Sequence, residues 1–570
     1  MQAIVTPEKR VTKSPNPKIS LNPRRPPTIK PIPAPISPQV TNHQTMYGKP
    51  KISAEASVTG SFEIPCCKNK MLIGILKRNC AIGAGTLGIL IIGSKTQRRF
   101  PYTIFFMSLE GVFWVPEIAF AHAGRRGFVM LLPTDFFITG GGVVVAMTFL
   151  IAVLIARKSQ VASENNSLLK VTLHSEGILS LSLLSLSILV FLVVCGFLGT
   201  RDPLENPLPL VLWIGWWVGW TLITAVLGDI WHWVHPWHAL DSLVRRLPGV
   251  HPGEAKASFS YPEWLGYWPS VIFFLIFAWF ELIHPSPMDP DLVATVVLLY
   301  IMLVASGMLL FGKQNWLQYA EPFCVFFRMV GWLSPLEWQK KPHQNLKIHA
   351  LKWPCWKLMK LPPIPLSGVA FILLALSTVS FDGLSKTFWW MGLLGENPLE
   401  YPGRTVLMLP NTGGMLGTFV IFLVLYALTR NKKGKSAGSD TLDQSLIFSI
   451  IPIAFGYHFA HYLPNFLVDI QYTFISLTDP LALGWDLFGI KNWEVRSSFL
   501  THHQSVVVIW YLQISGIVLA HIAAVIVAHL KTLETASGGD RVILSQIPST
   551  LLMIAYTVLG LWLLSTPIAA

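Results

Sequence analysis

Histidines in two apolar stretches carry the most specific chemical signal. His458 and His461 stand three residues apart in Gly456-Tyr457-His458-Phe459-Ala460-His461-Tyr462, a spacing that puts both imidazoles on one face of a helix. Two neutral imidazoles so placed can hold one metal ion. His521 and His529 lie eight apart and share a face of a second stretch, which also holds Gln513. Counted at about 1.5 Å per residue from the inner face, His461 falls near 24 Å, level with Gln513, His521 near 12 Å and His529 near the surface. Acids and further histidines gather at segment ends: Glu281 and His284, Asp382, and His502–His503. Ionisable groups at membrane depth are costly, so each is a functional candidate. The competing reading is that they are interhelical hydrogen-bond pairs holding a bundle together. On the functional reading, Glu281 and Asp382 are the catalytic carboxylates. His458, His461, His521 and His122 are the ligands of a divalent transition metal, Zn or Cu.

Composition dictates the elements that must position these groups. Of the 570 residues 52% are apolar and 13% charged, with mean hydropathy +0.52; soluble domains carry about 25% charged residues. The expected partner is therefore a lipid bilayer. Ten segments reach the roughly 20 apolar residues that a 30 Å hydrocarbon core requires: 134–156, 177–199, 206–228, 262–283, 291–311, 363–381, 407–429, 445–467, 505–529 and 546–567. The fold class expected is all-α, a polytopic membrane helix bundle of about ten spans. Lys and Arg concentrate in alternate connections (Arg157–Lys158, Arg245–Arg246, Lys340 to Lys360, Arg430 to Lys435, Lys531 with Arg541). The positive-inside rule then puts both ends of the bundle outside.

The formal charge of +13 belongs to a leader. Residues 1–99 hold 16 Lys and Arg against 3 Glu, and the other 471 residues hold 27 of each sign. A basic pI confined to the leader is no evidence for nucleic-acid binding by the body. Residues 1–61 read as a disordered, Pro-rich basic extension; a start at Met46 or Met71 would leave most of it unmade. Residues 62–121 form a signal-like or anchor region. Lys95–Arg99 precedes the apolar run Phe100–Ala121, which ends in an A-x-A site. Cleavage there would make His122 the first residue of a membrane domain spanning 122–570, with a free amine beside its ring. Retention would make the run an extra anchor. The six cysteines have neither metal-ligand nor disulfide spacing.

Two segments read as interfacial. Trp231-His232-Trp233-Val234-His235-Pro236-Trp237-His238 suits an aromatic belt, with a metal cluster as the alternative reading. Trp316–Leu333, apolar but carrying Glu321 and Arg328, suits an amphipathic helix on the inner surface.

From about His122 to about Leu530 the chain resembles a family of bacterial integral membrane proteins known as fenitrothion hydrolases. AHAGRRGF, FDGLSKTFWW, YPEWLGYWPSVIFFLIFAWFELIHP, IPIAFGYHFAHYLP and IWYLQISGIVLAHIAAVIVAH are similar to segments of that family. Glu281, Asp382, His461, Tyr462, His521 and His529 match it position by position. LGDIWHWVHPWHAL departs from it, with His235 and His238 where Asn and Arg are expected. The resemblance implies hydrolysis of a phosphotriester, an organophosphate, at its P–O bond to the aryl group, and a bacterial inner-membrane location. A metal-bound hydroxide would suit that chemistry.

The residues themselves leave three readings open. The chain has no G-x-S-x-G elbow, H-E-x-x-H helix or phosphate-binding loop. A metal-dependent hydrolase wants His and acid converging at one level with an open water position. A transition-metal transporter or copper-handling protein wants them spaced along the span. A structural or assembly subunit needs neither.

Overall fold

The computed structural model describes residues 134–155, 175–246, 258–339, 347–429, 446–535 and 540–566. The leader, the signal-like region and His122 lie outside these. The described chain runs α1 Thr134–Ile155, α2 Ser175–Leu198, α3 Pro207–Leu227, α4 Trp237–Val244, α5 Trp268–Leu282, α6 Pro290–Phe311 and α7 Pro322–Gly331. A hairpin, β1 Leu336–Gln339 with β2 Lys347–Leu351, leads to α8 Leu366–Ser385, α9 Arg404–Thr429, α10 Ile450–Thr478, α11 His503–Thr535 and α12 Asp540–Ser565. The protein is an all-α polytopic bundle. Among the described residues nine helices are long and apolar enough to cross a membrane. The tenth expected span, α10, has 29 residues but falls short in hydropathy, because its Tyr, His, Asn and Gln side chains dilute the apolar ones.

Helix starts follow a local rule. Asn206-Pro207, Asp289-Pro290 and Glu321-Pro322 open α3, α6 and α7, each with a side-chain acceptor at the cap and Pro at the first helical position. Asn206 accepts from the Leu208 amide at 3.0 Å and Asp289 from Leu292 at 2.9 Å. Pro costs nothing there, since that amide has no intrahelical partner.

Packing divides the bundle into two groups joined by α8 and α10. One joins α1, α11 and α12; the other joins α2, α3, α5, α6 and α7. Within its most apolar stretch α8 is 89% buried, whereas α9 is 6% buried. So α8 is the central post and α9 lies at the edge, its side chains left to lipid. Two hydrogen bonds tie connections at one end of the bundle: the Trp338 indole donates to the Leu227 carbonyl at 2.6 Å, and Lys531 Nζ donates to that of Leu361 at 2.6 Å. Asp382 and Lys386 close α8 at the other.

Both segments expected at the interface are instead inside the fold. Nine of the ten residues of α7 are buried. Glu321 makes that possible, accepting from the amides of Phe323 at 3.2 Å and Cys324 at 2.6 Å and from the Tyr300 hydroxyl. A carboxylate so satisfied can be buried. Trp231, Trp233 and Trp237 are likewise buried, so this stretch is part of the core and not an exposed belt.

Candidate functional site

Tyr462 and His461, neighbours on α10, each hold a carboxylate from a different helix. His461 Nε2 is 2.6 Å from Asp382 Oδ2 on α8, and the Tyr462 hydroxyl donates to Glu281 Oε1 on α5 at 2.9 Å. The second oxygen of Asp382 is taken by Lys386 Nζ at 2.6 Å, one turn on in the same helix. Asp382 is buried, while Lys386 is 42% exposed, so its ammonium reaches the end of the bundle. Adjacent residues of a helix point about 100° apart, which is why one turn of α10 can bridge to both α5 and α8.

His458 lies on the same level with a different set of neighbours. Its ring is set edge-on to Trp217 of α3 at 5.2 Å and against Tyr462 at 4.7 Å. It is 5% exposed, and its Nε2 has no protein partner. Trp217 is brought there by a π-helical stretch, Val211–Trp220, within α3; such wider turns recur at functional sites.

Beside these groups is a cavity of about 50 Å³ lined by Trp217, Phe274, Phe326, Glu281, His458 and Tyr462, among others. It has room for a few water molecules and not for the ligands that fill pockets of roughly 300 Å³ or more.

The other expected site residues stand apart. His521 and His529 are buried in α11, below the level of His461. Gln513 Nε2 donates to the Ala460 carbonyl at 2.6 Å, so Gln513 is level with His461 as its position in the chain implies. His284 Nδ1 accepts from the Ser286 amide at 3.1 Å, and its carbonyl, like that of Glu281, accepts from Arg404. His502 and His503 are exposed. The rings of His232, His235 and His238 come within 4.2–6.3 Å of one another, on the stretch that departs from the resembled family. Trp217 and Lys386 are the participants that spacing did not single out. The i, i+4 pair Asp382–Lys386 was the available signal for Lys386.

A metal held by three protein ligands needs three donors aimed at one point. Among the described residues no group of three His, Cys, Asp or Glu side chains meets that requirement. Asp382 has both oxygens occupied, and the two α10 imidazoles turn to different helices. Asp382 and Glu281 are thus each held by a hydrogen-bonding side chain of α10. The chain matches no protein-family model, no curated protein and no solved structure.

Proposed function

We propose that this chain is a multi-pass transport protein that carries protons, coupled to a small solute, through the centre formed by Glu281, Asp382, His458 and His461. The observation that supports this reading is the double bridge from α10. Each carboxylate is bonded to a group that can give or receive a proton, and both bonds pass through adjacent residues of one helix. Protonation of Asp382 would turn an acceptor into a donor and weaken its hold on His461 and Lys386 together. Protonation of Glu281 would remove the charge that strengthens the bond it accepts from Tyr462 and add a donor of its own. Either event changes what α5 and α8 hold on α10, and so couples proton occupancy to helix packing.

Glu281, His458 and Tyr462 are among the polar groups that line the cavity, and its size suits a monatomic cation or a small hydrated one. A transition-metal ion, Cu⁺ or Zn²⁺, is the cargo that His458 Nε2 would recognise, with His122 as a further ligand if the chain is cleaved before it. Basic connections then face the cytoplasm of a bacterial inner membrane.

A second reading is favoured by the His461–Asp382 pair, the arrangement that orients a general base. On that reading the centre hydrolyses a phosphotriester, as the resemblance to fenitrothion hydrolases implies. The cavity is small for such a substrate.

Proteoliposomes with an internal pH dye separate the two. Wild type should exchange protons on an acid pulse, faster with Zn²⁺ or Cu⁺ present, and Glu281→Gln and Asp382→Asn should each slow this at least tenfold. Paraoxon hydrolysis that His461→Ala abolishes, in protein that passes no protons, would replace transport by hydrolysis.

A further inference from the structure

A proton accepted at the carboxylates has most of the membrane still to cross. His521 and His529 are 1% and 3% exposed, and the centre makes no use of either. His521 Nδ1 lies 2.8 Å from the Ile517 carbonyl, which can only accept, so Nδ1 carries the hydrogen. Its Nε2 is then a bare acceptor, and it has no protein partner. His529 repeats the arrangement: Nδ1 is 2.9 Å from Gln546 Oε1, and Nε2 has no protein partner.

The bonds at Nδ1 account for one nitrogen of each ring and leave the same second nitrogen of both, on one face of one helix, without a protein partner. The ring of Phe149 stands 6.5 Å from that of His529, and Ala524, Val525 and Ala528 of the same helix belong to an apolar cluster, where a Phe or Leu would be held at no electrostatic cost. The two imidazoles are also evenly spaced. Gln513, level with His461, begins an eight-residue series through His521 to His529, steps of about 12 Å each in a hydrocarbon core of about 30 Å.

Aromatic rings and one hydroxyl pair line the first step, with the Ser380 hydroxyl also donating to the Leu376 carbonyl at 2.6 Å. The Tyr457 ring stacks parallel to His461 at 6.2 Å and lies 6.4 Å from that of Tyr556. The Tyr556 hydroxyl is 2.5 Å from Ser380 Oγ, and its ring is 5.9 Å from that of His521.

We propose that α11 carries the second half of a proton route, in which Tyr556 with Ser380 passes protons between the His461 level and Nε2 of His521, and His529 delivers them to the Lys531 end. The proposal rests on the proton-carrying reading of the centre. Because Nδ1–H of His521 is held by a carbonyl, a proton that binds Nε2 must leave from Nε2. Each imidazole therefore acts as a station reached through water, gaining one proton and returning it, with no net change in the ring. The route runs on the α11 and α12 side of α10, away from the cavity, so solute and proton would not share a path.

The test uses the full chain in proteoliposomes with an imposed membrane potential and an internal pH dye. Wild type, Glu281→Gln, His521→Phe and His529→Phe are compared, with His521→Gln as a variant that keeps hydrogen bonding and cannot titrate in this range. The expected result is at least a tenfold loss of proton flux in each His variant, while infrared difference spectra still show the carboxyls of the centre taking up protons. Flux retained in His521→Phe and His521→Gln but lost in Glu281→Gln overturns the route and leaves the centre standing. No flux in wild type overturns both. Should the variants misfold, solid-state NMR of ¹⁵N-histidine wild type decides: Nε2 of His521 exchanging with water supports the route, and a non-exchanging nitrogen overturns it.

Discussion

Gly456 of α10 and Gly516 of α11 face each other where the two helices come closest. A Cβ on Gly456 would stand 2.8 Å from the Gly516 carbonyl oxygen, and one on Gly516 would stand 2.7 Å from the Phe459 ring. On α10 the contact lies two residues before His458, and on α11 it lies between Gln513 and His521, so it sets the distance between the two histidine-bearing helices there. Small residues at such crossings are what lets membrane helices pack without lipid between them. Gly456→Leu should lower stability by about 1–3 kcal/mol through overpacking against backbone that cannot retreat. Thermal unfolding in detergent checks this; an unchanged midpoint would show that the helices separate freely.

The ion pair and the histidine bond at Asp382 should weigh differently. Lys386 is half exposed, and exposed pairs contribute roughly 0–1 kcal/mol; Lys386→Met should fall in that range. Asp382→Asn removes the charge that holds both Lys386 and the more deeply placed His461, and should cost about 2–4 kcal/mol as well as slowing proton exchange. Equal losses from the two substitutions, in denaturant titrations of the purified protein, would contradict this ordering.

Lys531 is 5% exposed, and its ammonium donates to three carbonyls, Leu358 at 3.2 Å, Met359 at 3.0 Å and Leu361 at 2.6 Å. It pins the connection before α8 to the end of α11. Hydrogen bonds from a charged donor contribute about 1.5–3 kcal/mol each in favourable cases, so Lys531→Met should cost about 2–4 kcal/mol. Limited proteolysis of the segment between β2 and α8 reads the effect, and cleavage no faster than in wild type would remove Lys531 from this role.

His235 gives a pH dependence. Burial, then the neighbouring imidazoles of His238 and His232, hold its ring well below the usual histidine range. The segment is clipped to α2 by Ser182, whose hydroxyl donates to the His235 carbonyl at 2.7 Å and accepts from the Ala239 amide at 2.9 Å. A depressed value in the folded state means the unfolded chain binds the proton first. The contribution is therefore complete above about pH 6.5 and is lost progressively as pH falls below it. Amide exchange over residues 231–239 should be faster at about pH 5 than at about pH 7.5, after correction for intrinsic rates. Equal protection at both would mean that His235 titrates normally.

Much of the bundle could be read from the chain, since nine of the ten expected spans are long apolar helices and the Asn-Pro, Asp-Pro and Glu-Pro starts are local chemistry. The exception is instructive. The apolar run marks 445–467, but helix α10 continues to Thr478; within the run its His458, His461 and Tyr462 side chains find partners on α3, α8 and α5 that hydropathy does not count. The site was legible in its members and not in its pairings. An i, i+3 spacing puts His458 and His461 on one face, yet their rings turn to Trp217 and Asp382. Which helices flank a face is a property of the whole bundle. The same blindness hid the burial of Trp231–Trp237 and of α7, whose Glu321 is silenced by two amides of its own helix and by a distant tyrosine.

The central position of α8 bears on how the protein is made. Asp382 enters the bilayer with α8, before α10 and its His461 have been synthesised. A lone Asp costs about 2.5–3.5 kcal/mol at the centre of an inserting helix and less towards its end, where Asp382 stands, and His461 is 79 residues away in the chain. Lys386 is only four away. The lysine is thus the chaperone of the carboxylate during membrane insertion, an escort present from the outset, and the histidine is its later, permanent partner.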